Sequence, residues 1–163
     1  MDEAKKLEDV AFLESNLARQ LEWVRAAESR LSLVLPLSTA LFGTIAVRVS
    51  DASGWDCYTV IATAVAVLLL GGSILFSALS FVPQVKGAQV SNIFFGTVGA
   101  MPLSDFRAAL AEYGEEEYRR DLIEQIHINA RIAARKYRLV TYSMRCLMGS
   151  FLPWAISMIF IYG

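Results

Sequence analysis

The sequence predicts an all-α integral membrane protein, with three transmembrane helices and a small cytoplasmic helical bundle. Three observations carry that prediction. The 163 residues are 55% hydrophobic and 19% charged, whereas ordinary soluble domains use about 45–50% apolar residues. Residues 57–82, CYTVIATAVAVLLLGGSILFSALSFV, form a run without a single charge, and about 20 apolar residues suffice for a helix to cross ~30 Å of hydrocarbon. The charged residues collect instead in two blocks, 1–30 and 83–138.

Residues 1–30 read as a cytoplasmic N-terminal helix. Val10, Leu17, Val24 and Leu31 are one apolar heptad register, and Leu7, Glu14, Leu21 and Glu28 are its companion, alternately apolar and acidic. No breaker separates this helix from transmembrane helix 1 at 31–50, so one long helix is expected. The apolar run here, LSLVLPLSTALFGTIAV, ends at Arg48, whose long side chain can snorkel to the interface. Transmembrane helix 2 is 57–82. Transmembrane helix 3 is 139–162, around the apolar run CLMGSFLPWAISMIFIY. Pro36 and Pro153 lie inside spans and are expected to kink them.

Between the second and third spans, 83–138 reads as the sensor region. After Pro83 comes SNIFFGTVGA, residues 91–100, apolar but too short to cross a bilayer and broken by Gly96 and Gly99. Ser104 is expected to cap a helix over DFRAALAEY, with Gly114 as its stop. EEEYRR opens a further helix, with Glu115–Arg119 and Glu116–Arg120 as i,i+4 pairs, and this helix is expected to run on into the third span. Ile126, Ala133 and Val140 repeat every seven residues along it, and Leu122, Asn129 and Lys136 form the parallel row. Arg131, Arg135 and Arg138 make a basic ridge.

Lys and Arg number five before the first span, one between the first two and eight between the second and third. By the positive-inside rule the N-terminus and 83–138 are cytoplasmic and the C-terminus is periplasmic, in a multi-pass protein of the cell inner membrane. Cys57 and Cys146 then start their spans at opposite faces, which disfavours a disulfide. Two cysteines and one histidine, His127, offer no zinc site and no Cys/His dyad. No nucleophile–base pair is visible, so no catalytic residue and no enzyme is expected. A net charge of −1 gives no basic surface for nucleic acid. MDEAKKLEDV has no apolar core or cleavage site, so no secretory signal is expected. Gly71, Gly72, Ser73 and Ser77 permit close helix contacts and a homo-oligomer.

Several of these features have two readings. SNIFFGTVGA serves as an interfacial plug, with Phe94 and Phe95 wedged between helix ends, or as a ligand loop. The arginine ridge attracts anionic headgroups, at about 1 kcal/mol per residue, or binds a small anion. Trp23 and Trp154 read as interface or core packing, and Glu14, Glu28 and His127 as surface residues.

NLARQLEWVRAAESRLSLVLPLSTALFGTIA at 16–46, SNIFFGTV at 91–98 after a proline-ended span, and DLIEQIHINARIAARKYRLV at 121–140 leading into a last span stand in a specific order. That order, with FFG followed by IAARKY, resembles the transmembrane effectors of the Pycsar anti-phage systems over nearly the whole chain. Ser29-Arg30 stands where such proteins often carry an Ala-Lys pair. The resemblance implies a partner cyclase that makes a cyclic pyrimidine mononucleotide, cUMP or cCMP, on phage infection. It implies that the effector senses this nucleotide and impairs the inner membrane, in abortive infection. No separate cyclic-nucleotide-binding domain is recognisable, so the site must use the cytoplasmic bundle. A cyclic nucleotide needs a cation or backbone N–H groups for its phosphate, and an aromatic face and an amide for its base. Ser91, Asn92, Phe95 and Gly96 in the loop, Asn129, Arg131, Arg135 and Lys136 on the helix, and Trp23 are the residues that meet those needs. The alternative is a non-gated membrane scaffold whose cytoplasmic helices bind a protein partner.

Overall fold

A computed structural model of the chain describes residues 2–48, 55–82 and 91–162. Five helices order them: α1 (Asp2–Arg48), α2 (Cys57–Phe81), α3 (Phe95–Ala100), α4 (Leu103–Glu112) and α5 (Glu115–Tyr162). No strand occurs among the described residues. Most of the VSDASGWD loop, Pro83, Lys86 and Gly163 lie outside them.

The absence of a breaker after residue 30 has its expected result, for α1 runs 47 residues without interruption. α5 likewise runs 48 residues from the charged EEEYRR into the last apolar segment. Pro36 and Pro153 lie inside these helices and end neither. The cap expected at Ser104 is a correction. α4 starts at Leu103 with Pro102 as its N-cap and no side-chain cap hydrogen bond, and the Ser104 hydroxyl donates to Asp105 at 2.9 Å instead. Proline fixes φ near the helical value and brings no N–H that needs a partner, so the helix begins directly after it. Three glutamates in the first turn of α5 suit the positive end of the helix dipole.

The chain divides into two compact units. Unit 1 holds Met1–Arg25 and Pro83–Ala134; unit 2 holds Ala26–Val82 and Arg135–Gly163.

Unit 2 is inside out relative to a water-soluble bundle. The buried row of α2 is Thr59, Thr63, Ala66, Leu70, Ser73, Ser77 and Ser80, whose alternating spacing of four and three is a heptad seam. α5 contributes Ser143, Ser150 and Ser157 beside Val140 and Leu147, and α1 contributes Ser38 beside Leu31, Val34 and Ile45. A small apolar core of Val34, Ile45, Ala66, Leu70 and Leu147 lies between the hydroxyls, and many large apolar side chains point outward, with Leu33 and Leu68 both 75% exposed and Leu152 70%. Water would drive those groups inward. Hydrocarbon does not, and helices in lipid associate through small residues and interhelical hydrogen bonds. α1, α2 and α5 each contain a segment long and apolar enough to cross a bilayer. The chain is an all-α membrane protein.

The buried hydroxyls bond the three helices together. Ser73 Oγ lies 2.7 Å from Ser38 Oγ on α1 and 3.1 Å from Ser143 Oγ on α5. Ser143 Oγ lies 2.7 Å from Ser77 Oγ and donates to the Ser73 carbonyl at 2.9 Å. Farther along, Thr63 and Ser157 hydroxyls are 2.6 Å apart, and Trp154 Nε1 donates to Thr44 at 3.0 Å. These pairings make α1 and α5 parallel and α2 antiparallel to both. Ser73 and Ser77, expected to serve assembly, thus face helices of their own chain. Cys57 and Cys146 are both free.

The last charged layer of unit 2 is an ion pair. Lys136 is buried to 8% exposure and its ammonium meets the Glu28 carboxylate. Next to it Ala27, Leu31 and Val140 pack with Tyr137, and the Arg30 guanidinium sits 5.4 Å from the Tyr137 ring centre. Glu28 is therefore not a simple surface residue: a buried ammonium needs a counter-charge.

Ser143→Ala should lower unfolding stability in mixed micelles by about 1–2 kcal/mol. Ser143→Leu should lower it further, because Ser143 is fully buried and added bulk has nowhere to go. Glu28→Gln, which strands the Lys136 charge, should be destabilising by about 1–2 kcal/mol, since Glu28 itself is half-exposed. The double change Glu28→Leu with Lys136→Met should recover most of that loss, read by the same denaturant titration.

Candidate functional site

Unit 1 is organised around the turn at residues 91–94. Ser91 is almost fully buried. Its hydroxyl oxygen accepts from the backbone N–H of Phe94 at 3.0 Å and of Ile93 at 3.3 Å, the geometry by which serine stabilises tight turns. Gln125 Nε2 on α5 approaches the same oxygen at 3.5 Å. The neighbouring Asn92 N–H donates to Asp121 Oδ2 at 2.9 Å. Asp121 also accepts from the Tyr113 hydroxyl at 2.7 Å. One buried carboxylate on α5 thereby fixes both the turn and the α4–α5 connection. Elsewhere in the unit, the Tyr118 hydroxyl donates to Glu14 on α1 at 2.6 Å, so Glu14, at the surface as expected, also holds α1 to α5.

The turn leads directly into α3. Phe94 is its N-cap, and its carbonyl accepts from Thr97 and Val98. A Cβ at residue 96 would sit 2.5 Å from the Phe94 ring. A side chain at residue 96 would have to displace the Phe94 ring, which lies against that backbone.

Two clefts flank the turn. One, of about 420 Å³, is lined by Ser91, Asn92, Tyr113, Arg120, Asp121 and Glu124, with Glu117 at its side. The other, of about 240 Å³, is lined by Leu17, Leu21, Ile93, Phe94, Gln125 and Asn129. The first offers a guanidinium, an amide and carboxylates. The second offers apolar walls, one aromatic ring and two amides. Asn129 Nδ2 donates to the Gln125 carbonyl at 2.8 Å, which fixes which way that amide points.

The two tyrosines have shifted acidities. Burial, and then the hydrogen bond to Asp121, push the Tyr113 hydroxyl far above its ordinary value. The hydrogen bond to Glu14, and then burial, push the Tyr118 hydroxyl up as well. Both act as neutral donors to carboxylates.

Of the residues expected to bind ligand, Ser91, Asn92, Gly96 and Asn129 are gathered around this turn and the facing stretch of α5. Ser91 acts as the acceptor of the turn's own N–H groups. Phe95 opens α3, and its side chain lies outside the described residues. Trp23 is half-exposed on the α1 part of unit 1, and Arg131 is exposed on α5. Arg135 and Lys136 belong to unit 2, where Arg135 is exposed and Lys136 is held by Glu28. Sequence reasoning missed Asp121, Gln125, Tyr113 and Arg120. Asp121, Gln125 and Asn129 recur every four residues, which puts three polar groups on one helix face. That spacing was the available signal, hidden in a charged run.

Residues 12–163 match the family model of the Pycsar effector protein domain, PycTM. The chain belongs to that family. It is similar to the Pycsar effector protein PtPycTM of Propioniciclava tarda, with 30% identity over 134 residues, covering 71% of this chain. The match spans 62% of that relative's length. No solved structure matches the chain.

The tyrosine–carboxylate bonds give a pH dependence with a definite sign. An unfolded tyrosine ionises near pH 10, and the folded values lie above that, so the folded state holds its protons longer. Their stabilisation is complete below about pH 10 and is lost as pH rises through the folded values. Alkaline titration followed by circular dichroism and tyrosinate absorbance should show ionisation of Tyr113 together with loss of structure. Tyr113→Phe should lower stability by about 1 kcal/mol near neutral pH and flatten the alkaline slope.

Proposed function

We propose that the chain is a membrane effector of anti-phage defence, switched by a cyclic pyrimidine mononucleotide, cUMP or cCMP, from a companion cyclase. Its response impairs inner-membrane integrity and halts the infected cell before the phage matures. The match to the Pycsar effector domain over residues 12–163 carries this reading. The paired clefts at the 91–94 turn support it. The smaller cleft suits a pyrimidine, with Phe94 as the ring face and Asn129 as the amide at the base edge. The larger could take the sugar and phosphate, with Arg120 as the cation, Asn92 as a donor and the carboxylates Glu117 and Glu124 turned to the ribose hydroxyl rather than the phosphate. No step of this role needs catalysis or a metal ion.

Ligand changes the state of a protein only by binding one arrangement better than another. α1 and α5 each contribute residues to both units. A nucleotide bridging the turn and α5 in unit 1 would bias the setting of α5, and with it the packing of the membrane-spanning helices. The count of basic residues supports a cytoplasmic position for the N-terminus and residues 83–138, where a cyclase product is available, and a periplasmic C-terminus. Assembly of several copies is the route by which a chain with three spans would permeabilise a bilayer.

Calorimetric titration of the detergent-solubilised protein with cUMP, cCMP, cAMP and cGMP tests the reading. One pyrimidine nucleotide should bind saturably, and Arg120→Gln should weaken it about tenfold or more through loss of a charged hydrogen bond. Absence of binding by folded, monodisperse protein would sink the sensor role.

A further inference from the structure

The hydroxyl core of unit 2 is larger than helix adhesion requires. The buried row on α2 runs from Thr59 to Ser80, about 30 Å at 1.5 Å per residue; its hydroxyls stand toward both ends, and Ala66 and Leu70, packed with Val34, Ile45 and Leu147, separate them. Ser38, Ser143, Ser150 and Ser157 face it from the other two helices. The outward faces present leucine, isoleucine, valine and methionine and cannot border water. Within the membrane-spanning part, the hydrophilic surface therefore lies folded inward, neutralised by hydrogen bonds, between hydroxyls at Thr63, Ser73 and Ser77 and to the Asp56 carboxylate at Thr59. One hydroxyl of the row has no such bond. Ser80 Oγ is buried, with Ser80 only 2% exposed, and has no hydrogen-bond partner among the described residues. An unsatisfied buried hydroxyl is unfavourable, and water is the partner that would satisfy it.

We infer that this seam is the latent lining of the membrane lesion: in the activated state the row Thr59, Thr63, Ser73, Ser77 and Ser80, with Ser143 opposite, borders a path for water and small ions whose narrow apolar waist is Ala66 and Leu70. The inference rests on the effector reading above and names the surface through which that effector acts. In the resting chain Ser73 bonds both Ser38 and Ser143, so the seam is closed. Each of these bonds can be exchanged for one to water at little net change in free energy. Serine and threonine permit wetting on either side, and the Leu70 layer with Leu147, Val34 and Ile45 resists it until the helices part. The row carries no formal charge, so the path should conduct small cations and anions alike.

Cysteine accessibility in liposomes tests this. Ser77→Cys and Ser143→Cys are placed singly in a full-length background carrying Cys57→Ala and Cys146→Ala, with Leu152→Cys as an outward-facing control. A charged, membrane-impermeant methanethiosulfonate reports contact with water, since only a hydrated thiol ionises and reacts. On addition of cUMP or cCMP, together with dye leakage, modification of Cys at 77 and 143 should quicken about tenfold or more while the control at 152 stays slow. Nucleotide-induced leakage without that change at either position would overturn the assignment of the lining and leave the effector reading intact. If neither nucleotide binds or causes leakage in the background protein, the effector reading itself falls, and the lining falls with it. Should one cysteine variant not fold, Ser73→Cys is the substitute on the same row.

Discussion

Helices in lipid lack the force that assembles helices in water. The meeting of Ser38, Ser73, Ser77 and Ser143 supplies what is missing, since close approach and shared hydroxyl bonds are the attractions available there. Most of what unit 2 does follows from that junction. It puts small residues inside and large apolar ones outside, sets α2 antiparallel to the other two helices, and fixes their register. The Thr63–Ser157 bond continues the seam toward one end, and the Lys136–Glu28 pair closes it at the other. A seam of hydroxyls is also a weak lock. Each bond contributes little net free energy, and water can replace any of them.

Unit 1 obeys a different solvent and a different rule. Here the organising group is a carboxylate, Asp121, which binds the turn through the Asn92 N–H and the helix connection through Tyr113. The residues that looked most like a loose ligand loop are tightly built. Ser91 satisfies its own turn, and the Phe94 ring covers Gly96. The groups left open around the turn are Arg120 and Asn92 in one cleft, and Asn129 with the apolar wall of Leu17 and Leu21 in the other.

The legible parts of this protein were those set by local composition. The uncharged run at 57–82 fixed a span by length alone. The lack of a breaker between residues 30 and 31 made α1 a single helix, as the structure has it. The segment 91–100 was legible as an apolar, glycine-broken interruption between two helical stretches, but not as the turn at 91–94 followed by the short helix α3. Less legible were the groups whose meaning depends on a partner far along the chain. Glu14 and Glu28 were visible as acids interrupting an apolar stripe. Their partners, Tyr118 and Lys136, lie more than a hundred residues away, and no heptad pattern names a partner. Ser104 failed as a cap because Pro102 had already started the helix.

The sequence by itself therefore determined the class of solvent for each segment: lipid where charge is absent, water where it is dense. It determined the family too, because order and spacing of short motifs survive in one dimension. Only the tertiary structure decided which face of each span is inside and which polar groups meet. In lipid that choice does not follow hydrophobicity, as the buried serines and outward leucines show. It follows the geometry of close approach, a property of pairs of helices that no single helix carries.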